Sequence, residues 1–171
     1  MEVILVDEND VQVGTMEKIE AHEKALLHRA FSVFIFNNEG KMLLHKRAQN
    51  KYHSGGLWTN ACCSHPKPDE KLLEVAQKRL FEEMGFTTVL AKAFDFIYQS
   101  QVGNGLTEHE FDHVFIGKYD GNISPDQSEV SEYRYSSLSD IENSIEIFPE
   151  QYTAWFKIAF PKVQHYLSGR L

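Results

Sequence analysis

The sequence predicts an α+β fold in which helices pack against a mixed β-sheet. Three observations lead there. Short runs rich in β-branched and aromatic residues, above all Ala30-Phe31-Ser32-Val33-Phe34-Ile35-Phe36, have the composition of strands. Leu73, Ala76, Leu80 and Met84 recur at the spacing of one helix face. The chain has 171 residues, of which 42% are apolar and 25% charged, a globular balance long enough for one sizeable core.

Taken in order, Val3 to Val6 forms the first strand and Asp7 to Asp10 its turn. Glu17 to Leu27 reads as a short helix or irregular crossing. The run Ala30 to Phe36 turns at Asn37-Asn38-Glu39-Gly40 into a second strand, Lys41 to Arg47. A loop marked by Gly55 and Gly56 leads to Trp58-Thr59-Asn60-Ala61-Cys62-Cys63-Ser64-His65-Pro66. Asp69 is the expected N-cap of a helix over Lys71 to Met84, which Gly85 ends. Strands follow at Phe94 to Gln101 and Glu110 to Tyr119, joined by a turn containing Gly103-Asn104-Gly105, then a short one near Tyr133 to Ser136. Leu138 to Ser144 and Glu150 to Leu167 are predicted helical, the second interrupted near Pro161.

The net charge of −8 argues against nucleic acid and anionic membranes as partners, since phosphate backbones call for basic patches. No apolar run approaches the roughly 20 residues that span a bilayer, and the N-terminus does not read as a signal peptide. The only cysteines, Cys62 and Cys63, are adjacent and form no disulfide framework, so a reducing cytoplasm is the expected setting. The sequence leaves the oligomeric state open.

Chemistry concentrates in two places. Cys63 and His65 put a thiol two residues from an imidazole, and Glu108-His109-Glu110 puts two carboxylates on one side of a strand. A thiol, an imidazole and paired carboxylates are the parts of a metal-assisted acid–base site.

The segment Glu70 to Phe86 resembles the Nudix box through Glu70, Glu82, Glu83, Gly85 and Phe86. Two positions depart from it: Ser64 takes the place of the opening glycine, and Lys78-Arg79 stands where the box has Arg-Glu. That glutamate is a metal ligand in the hydrolases of the superfamily, so part of their metal site is missing. The departures coincide with Thr59-Asn60-Ala61-Cys62-Cys63-Ser64-His65-Pro66 and Glu108-His109-Glu110. Together these make the chain resemble the type I isopentenyl-diphosphate isomerases over nearly its whole length, from Gly14-Thr15-Met16-Glu17-Lys18 through His28-Arg29-Ala30-Phe31-Ser32 to the region of Trp155.

The resemblance implies a Nudix-type α/β/α sandwich with a mixed β-sheet, as one domain over residues 1–171. It implies a metal-dependent interconversion of isopentenyl and dimethylallyl diphosphate, a step of isoprenoid biosynthesis. His22, His28, His65, Glu108 and Glu110 would be the ligands of a first divalent ion, Mn²⁺, Mg²⁺ or Zn²⁺. Glu83 and the main-chain carbonyl of Cys63 would hold a second, Mg²⁺, against the substrate diphosphate. Lys18, Arg47, Lys51 and Arg79 would grip that diphosphate. Cys63 and Glu110 would move protons, Tyr98 would stand beside Glu110, and Trp155 would lie over the isoprenyl carbons. An indole face stabilises a desolvated cation by about 2 kcal/mol or more.

Taken singly, these residues have plainer readings. His22 and His28 alone read as ordinary cap histidines, Trp155 as core, Lys51 as solvated, and Arg79 with Glu83 as a helical ion pair. His45, His53, His109, His113 and His165 keep that plainer reading. Two other functions compete with the isomerase. One is a Nudix pyrophosphohydrolase acting on nucleoside diphosphate derivatives, which Arg79 and the thiol disfavour. The other is a silent module holding structural Zn²⁺, for which three His and two Glu are the wrong ligand set.

Overall fold

The computed structural model describes residues 1–169. Its elements are β1 (Glu2–Val6), β2 (Gln12–Glu17), α1 (Lys18–Glu23), β3 (His28–Phe36), β4 (Met42–Arg47), β5 (Trp58–Thr59), β6 (Cys62–Ser64), α2 (Leu72–Met84), β7 (Leu90–Gly103), β8 (Leu106–Lys118), β9 (Val130–Ser136), α3 (Leu138–Ile147) and α4 (Ala154–Leu167).

All nine strands share one sheet centred on β3. β8 runs parallel to β3 along its full length, from His28 opposite Glu110 to Phe36 opposite Lys118. The other edge of β3 is divided among three antiparallel partners: β1 at Leu5–His28, β6 at residues 31–33 and β4 at Phe36–Met42. β7 pairs with the far side of β8, and β9 with β4. The sheet is therefore mixed, as expected.

Alternation along β3 builds a core on each face. Phe31, Val33 and Ile35 pack with Cys62 against Val75, Ala76, Leu80 and Met84 of α2. Phe34 and Phe36 pack on the opposite face with Ile141 of α3 and Trp155, Phe156, Ala159, Phe160 and Val163 of α4. Helix, sheet and helices form the three layers of an α/β/α sandwich.

Several local expectations are corrected. β2 went unforeseen because it is an edge strand with alternately exposed residues and no apolar face. β7 and β8 reach further toward their shared turn, so Glu108 lies inside a strand. Asp69 does not cap α2: it sits at φ +69° in the preceding turn, and Lys71 occupies the cap without a side-chain hydrogen bond. Leu73 is exposed, and Val75 takes its expected place on the buried stripe. α4 runs unbroken through Pro161, because its five buried side chains outweigh the one backbone hydrogen bond a proline withholds. Thr153 caps that helix, its hydroxyl accepting from the Phe156 amide at 3.3 Å.

Gly85 ends α2 as expected, in the left-handed region at φ +76°. A Cβ there would also come within 2.1 Å of the Ser124 carbonyl oxygen. Gly85→Ala should therefore lower stability by about 2 kcal/mol or more in urea unfolding. An unchanged midpoint would mean that the 120s loop moves freely away.

Candidate active site

Strand register assembles the site. Antiparallel pairing sets Tyr98 opposite Glu110, and parallel pairing sets Glu110 beside His28, so three adjacent strands carry one row of functional groups. β6 lies against β3 with Cys63 opposite Ser32. Alternation then turns Cys62 into the α2 core and Cys63 toward the α4 side. His65 shares the side of Cys63, two residues on. The short α1 brings in His22, which is completely buried; its N-terminus is capped by Glu17, whose carboxylate accepts from the amides of Ile19 and Glu20.

The result is a cleft lined by Lys18, Arg47, Lys51, Cys63, His65, Arg79, Glu83, Tyr98, Glu108, Glu110 and Trp155, with His22 and His28 beneath it. All the residues singled out from the sequence meet there. The expected five-ligand set divides, however. His22, His28, His65 and Glu110 form one group whose ligand atoms lie within 4.8 Å of one another, while Glu108 groups with His22 and His53. The Tyr98 hydroxyl joins the two carboxylates, 2.7 Å from Glu110 Oε2 and 3.0 Å from Glu108 Oε2.

One phenol proton cannot serve two carboxylates, and the protonation pattern follows from that. Burial and the neighbouring charge of Glu110 raise Glu108 well above the usual carboxylate range. Burial also works to raise Glu110, but the interactions with His65 and His28 outweigh it and hold Glu110 well below that range. Glu108 is thus the carboxylate that more readily takes a proton, and the Tyr98 hydrogen bond is the shorter one, to Glu110. Burial pushes His65 down to about 3, so it is a neutral imidazole whose Nε2 lies 2.8 Å from Glu110 Oε1.

The four-residue group suits a divalent cation. His22 Nδ1 donates to the Lys18 carbonyl at 2.7 Å and His28 Nδ1 to the Leu26 carbonyl at 2.8 Å. Each bond fixes the tautomer that leaves Nε2 as a lone pair facing inward. His22 Nε2 and His65 Nδ1 are buried with no hydrogen-bond partner. His28 Nε2 and His65 Nε2 approach to 3.3 Å beside a carboxylate. His22 Nε2, His28 Nε2 and one nitrogen of His65 thus converge with the Glu110 carboxylate, an arrangement that is costly unless a cation joins it.

The cationic wall is built differently. Arg79 is bound along α2, 2.7 Å from Glu82 and 2.6 Å from Glu83. Lys51 pairs with Glu129 at 2.5 Å. Arg47 stacks over the Trp155 ring, 5.1 Å from its centroid, and Lys18 over Tyr52 at 4.8 Å. Burial lowers the pKa of Lys18, and the charges of Lys51 and Arg47 add to the effect against the pull of Glu110. Arg47 Nε, Arg79 Nε and Trp155 Nε1 are buried donors without partners. A cleft crowded with cations and unpaired donors is short of an acceptor-rich anion.

Around the thiol, Cys63 Sγ donates to Asn60 Oδ1 at 3.1 Å, and the Asn60 amide is oriented by the carbonyls of Val33 and Cys62. Ser32 Oγ lies 3.4 Å from that sulfur and 2.7 Å from Asp112 Oδ2. Burial, reinforced by the Asp112 carboxyl, raises the Cys63 pKa against the hydrogen bonds of Ser32 and Asn60, so the group is a thiol. The sequence reading gave no role to Asn60, Ser32, Tyr52, Glu129 or Asp112 and left His53 an ordinary histidine. Asn60 and Ser32 had a signal, since they stand within the Thr59 to Pro66 and His28 to Ser32 segments.

With this geometry in view, comparison with known proteins gives the class first. A family model described as the NUDIX domain matches residues 26–156. Solved structures share the fold: a Deinococcus radiodurans protein superposes with TM-score 0.78 at 14% identity, covering 95% of this chain and 98% of its own. The MutT protein of Methanosarcina mazei does so with TM-score 0.67 at 23% identity, over 81% and 94%. The chain is also 51% identical to an isopentenyl-diphosphate Delta-isomerase of Pectobacterium atrosepticum, over 96% of this chain and 92% of the relative. It is 44% identical to isopentenyl-diphosphate Delta-isomerase 2 of Aromatoleum aromaticum, over 95% and 86%. Within the NUDIX fold, the chain belongs to the isopentenyl-diphosphate Delta-isomerase family.

Burial and the Glu110 charge push Asp112 up to about 8, with the Ser32 hydrogen bond opposing them. Between the ordinary aspartate value and about 8, the native state keeps a proton that the unfolded chain has lost, so stability falls as pH rises through that window. In urea unfolding from about pH 5 to about pH 9, wild type should lose at least about 1.4 kcal/mol more than Asp112→Asn. Parallel profiles would mean that Asp112 is ionised in the native protein.

Proposed function

We propose that this cleft interconverts isopentenyl diphosphate and dimethylallyl diphosphate by adding a proton at one end of the alkene and removing another nearby. The observation that carries the reading is the division of one cleft into two chemistries. Lys18, Arg47, Lys51 and Arg79 supply charge and unpaired donors for an anion, while Cys63 and the Tyr98–Glu110 pair supply exchangeable protons. The relatives named for the same isomerisation support it.

An unactivated alkene is a poor base, so its protonation needs an acid in a dry pocket and a stabilised tertiary carbocation. Cys63 is a neutral thiol, able to give a proton at Sγ or, once deprotonated, to take one. Glu110 is a carboxylate oriented by the Tyr98 hydroxyl, which donates to its Oε2 at 2.7 Å, and it is able to take a proton at its other oxygen. The Trp155 ring offers its face to the carbocation. The diphosphate is unchanged and acts as an anchor, so its binding energy holds the carbons against the proton groups.

His22, His28, His65 and Glu110, with Glu108 tied in through Tyr98, would hold the first divalent cation: Mn²⁺, Mg²⁺ or Zn²⁺. Glu83 and the Cys63 carbonyl would hold Mg²⁺ with the substrate. Bound cations supply positive charge that makes nearby protons more acidic and neutralises phosphate oxygens. The two free thiols fit a reducing, cytoplasmic setting. Among the described residues no helix is long and apolar enough to cross a membrane. The hydrolase reading is the weaker, because Arg79 replaces a carboxylate on α2 and occupies Glu82 and Glu83 itself.

Proton NMR with isopentenyl diphosphate and Mg²⁺ in D₂O should give dimethylallyl methyl signals carrying deuterium. An unchanged spectrum from folded, metal-loaded protein would rule the isomerase out. Cys63→Ala and Glu110→Gln should each cut turnover by roughly 10²-fold or more with the fold intact. Cys62→Ala should be far milder; an equal loss there would point to the wrong thiol. Arg79→Ala should raise KM by about tenfold or more, and an unchanged KM would reduce Arg79 to an ion-pair partner of Glu82 and Glu83.

A further inference from the structure

Four side chains form a directed run of hydrogen bonds from the start of α4 to the sulfur of Cys63. The Thr153 hydroxyl donates to Thr59 Oγ1 at 3.1 Å, and Thr59 donates in turn to Asn60 Oδ1 at 3.0 Å. The same Asn60 oxygen accepts from Cys63 Sγ at 3.1 Å. Thr59, Asn60 and Thr153 are all buried. The direction of the run is set at Asn60. Both its amide hydrogens are taken, by the carbonyls of Val33 and Cys62, each at 3.0 Å. The oxygen is therefore the atom that faces Thr59 and Cys63.

At the far end, Thr153 does more than cap a helix. Capping uses a lone pair of Oγ1, which accepts from the Phe156 amide at 3.3 Å. The hydroxyl proton is left over, and it is committed to Thr59, 94 positions away in the chain. The Thr153 amide donates to the Trp58 carbonyl at 3.0 Å, so the backbone of the same residue is tied to β5. Two residues further on stands Trp155, and Cys63 packs against the apolar cluster to which that ring belongs.

We propose that Thr153 and Thr59 are positioning residues for the isomerisation: through Asn60 they hold the Cys63 thiol in place relative to the Trp155 indole. The thiol comes from β6 and the ring from α4, and the three buried side chains are a polar link between them. Apolar packing is non-directional. A cysteine has one side-chain torsion with three staggered wells, and a hydrogen bond to a fully committed Asn60 selects among them. Without the two hydroxyls Asn60 loses part of its hold, and the sulfur spreads over other wells. A misplacement of about 1 Å can cost roughly 10²-fold in rate. The side-chain hydrogen bonds of both threonines run to Asn60 and the helix end rather than to the cationic wall, so diphosphate binding should be spared.

This inference rests on the isomerase reading, and steady-state kinetics with isopentenyl diphosphate and Mg²⁺ separate the two. Thr153→Val and Thr59→Val should each lower kcat by about tenfold and leave KM within about twofold. Thr153→Ser and Thr59→Ser, which return the hydroxyls, should recover most of the loss. Because the hydroxyls act in series, the double valine variant should lose no more than the worse single one. Thr153→Gly removes the hydroxyl but leaves a residue well tolerated at an N-cap, so it carries the same expectation where valine disturbs the packing. Unchanged kcat in Thr153→Gly and Thr59→Val, a rise in KM in place of the fall in kcat, losses that multiply in the double variant, or losses that serine does not recover would each overturn the positioning role while wild type stays active. No turnover by folded, metal-loaded wild type would overturn the isomerase reading and this role with it.

Discussion

The parallel pairing of β3 with β8 is the constraint on which the rest of the molecule depends. Residue 28 is locked beside residue 110, and every later pairing of the two strands follows from that register. Because strand side chains alternate, a slip of one residue would exchange Glu110 for His109 or Phe111 on the cleft side and turn the carboxylate toward the apolar cluster of Ile4, Val6 and Phe111. The register is secured far from the chemistry. Phe31, Val33 and Ile35 on one face and Phe34 and Phe36 on the other are all buried, so neither face tolerates the exchange. The hydrophobic core thus sets the geometry of the polar site.

The site puts a large amount of polarity out of water. His22, His28, His65, Glu83, Glu108, Glu110 and Asp112 are all buried. Such groups are tolerated by becoming neutral or by sharing protons. Asp112 keeps its proton, burial moves Glu108 in the same direction, His65 gives its up, and Tyr98 joins two carboxylates through one hydroxyl. The same device prepares the cleft for its ligands. Imidazoles fixed by backbone carbonyls converge with Glu110, and guanidinium and indole N–H groups without partners belong to residues lining the same cleft.

Where a single local rule decides the outcome, the sequence was legible. Alternation put Glu108 with Glu110 and Cys63 with His65, and helical spacing put Arg79 against Glu83. Helices packed against a mixed sheet followed from strand composition and one amphipathic helix, and the three layers followed from the Nudix resemblance. What escaped depends on contacts between distant segments. His53 sits in a loop with no periodicity, and only the fold carries it to Glu108, 55 positions along the chain. Asp112 reads as an ordinary strand residue until β6 brings Cys63 opposite Ser32. β2 lacks an apolar face, and α4 overrides its proline through burial, so local propensity misleads at both.

Adjacent cysteines invite ring closure by oxidation, and β6 stands against it. Neighbouring Cα atoms are about 3.8 Å apart, below the usual disulfide range of roughly 4.4–6.8 Å, so closing the pair already requires a distorted peptide. Strand alternation adds a second obstacle by turning one sulfur into the α2 core and the other toward the cleft. Only when β6 leaves its three-residue pairing with β3 can the sulfurs meet. Ring closure between the two thiols is thereby tied to the opening of a three-residue strand.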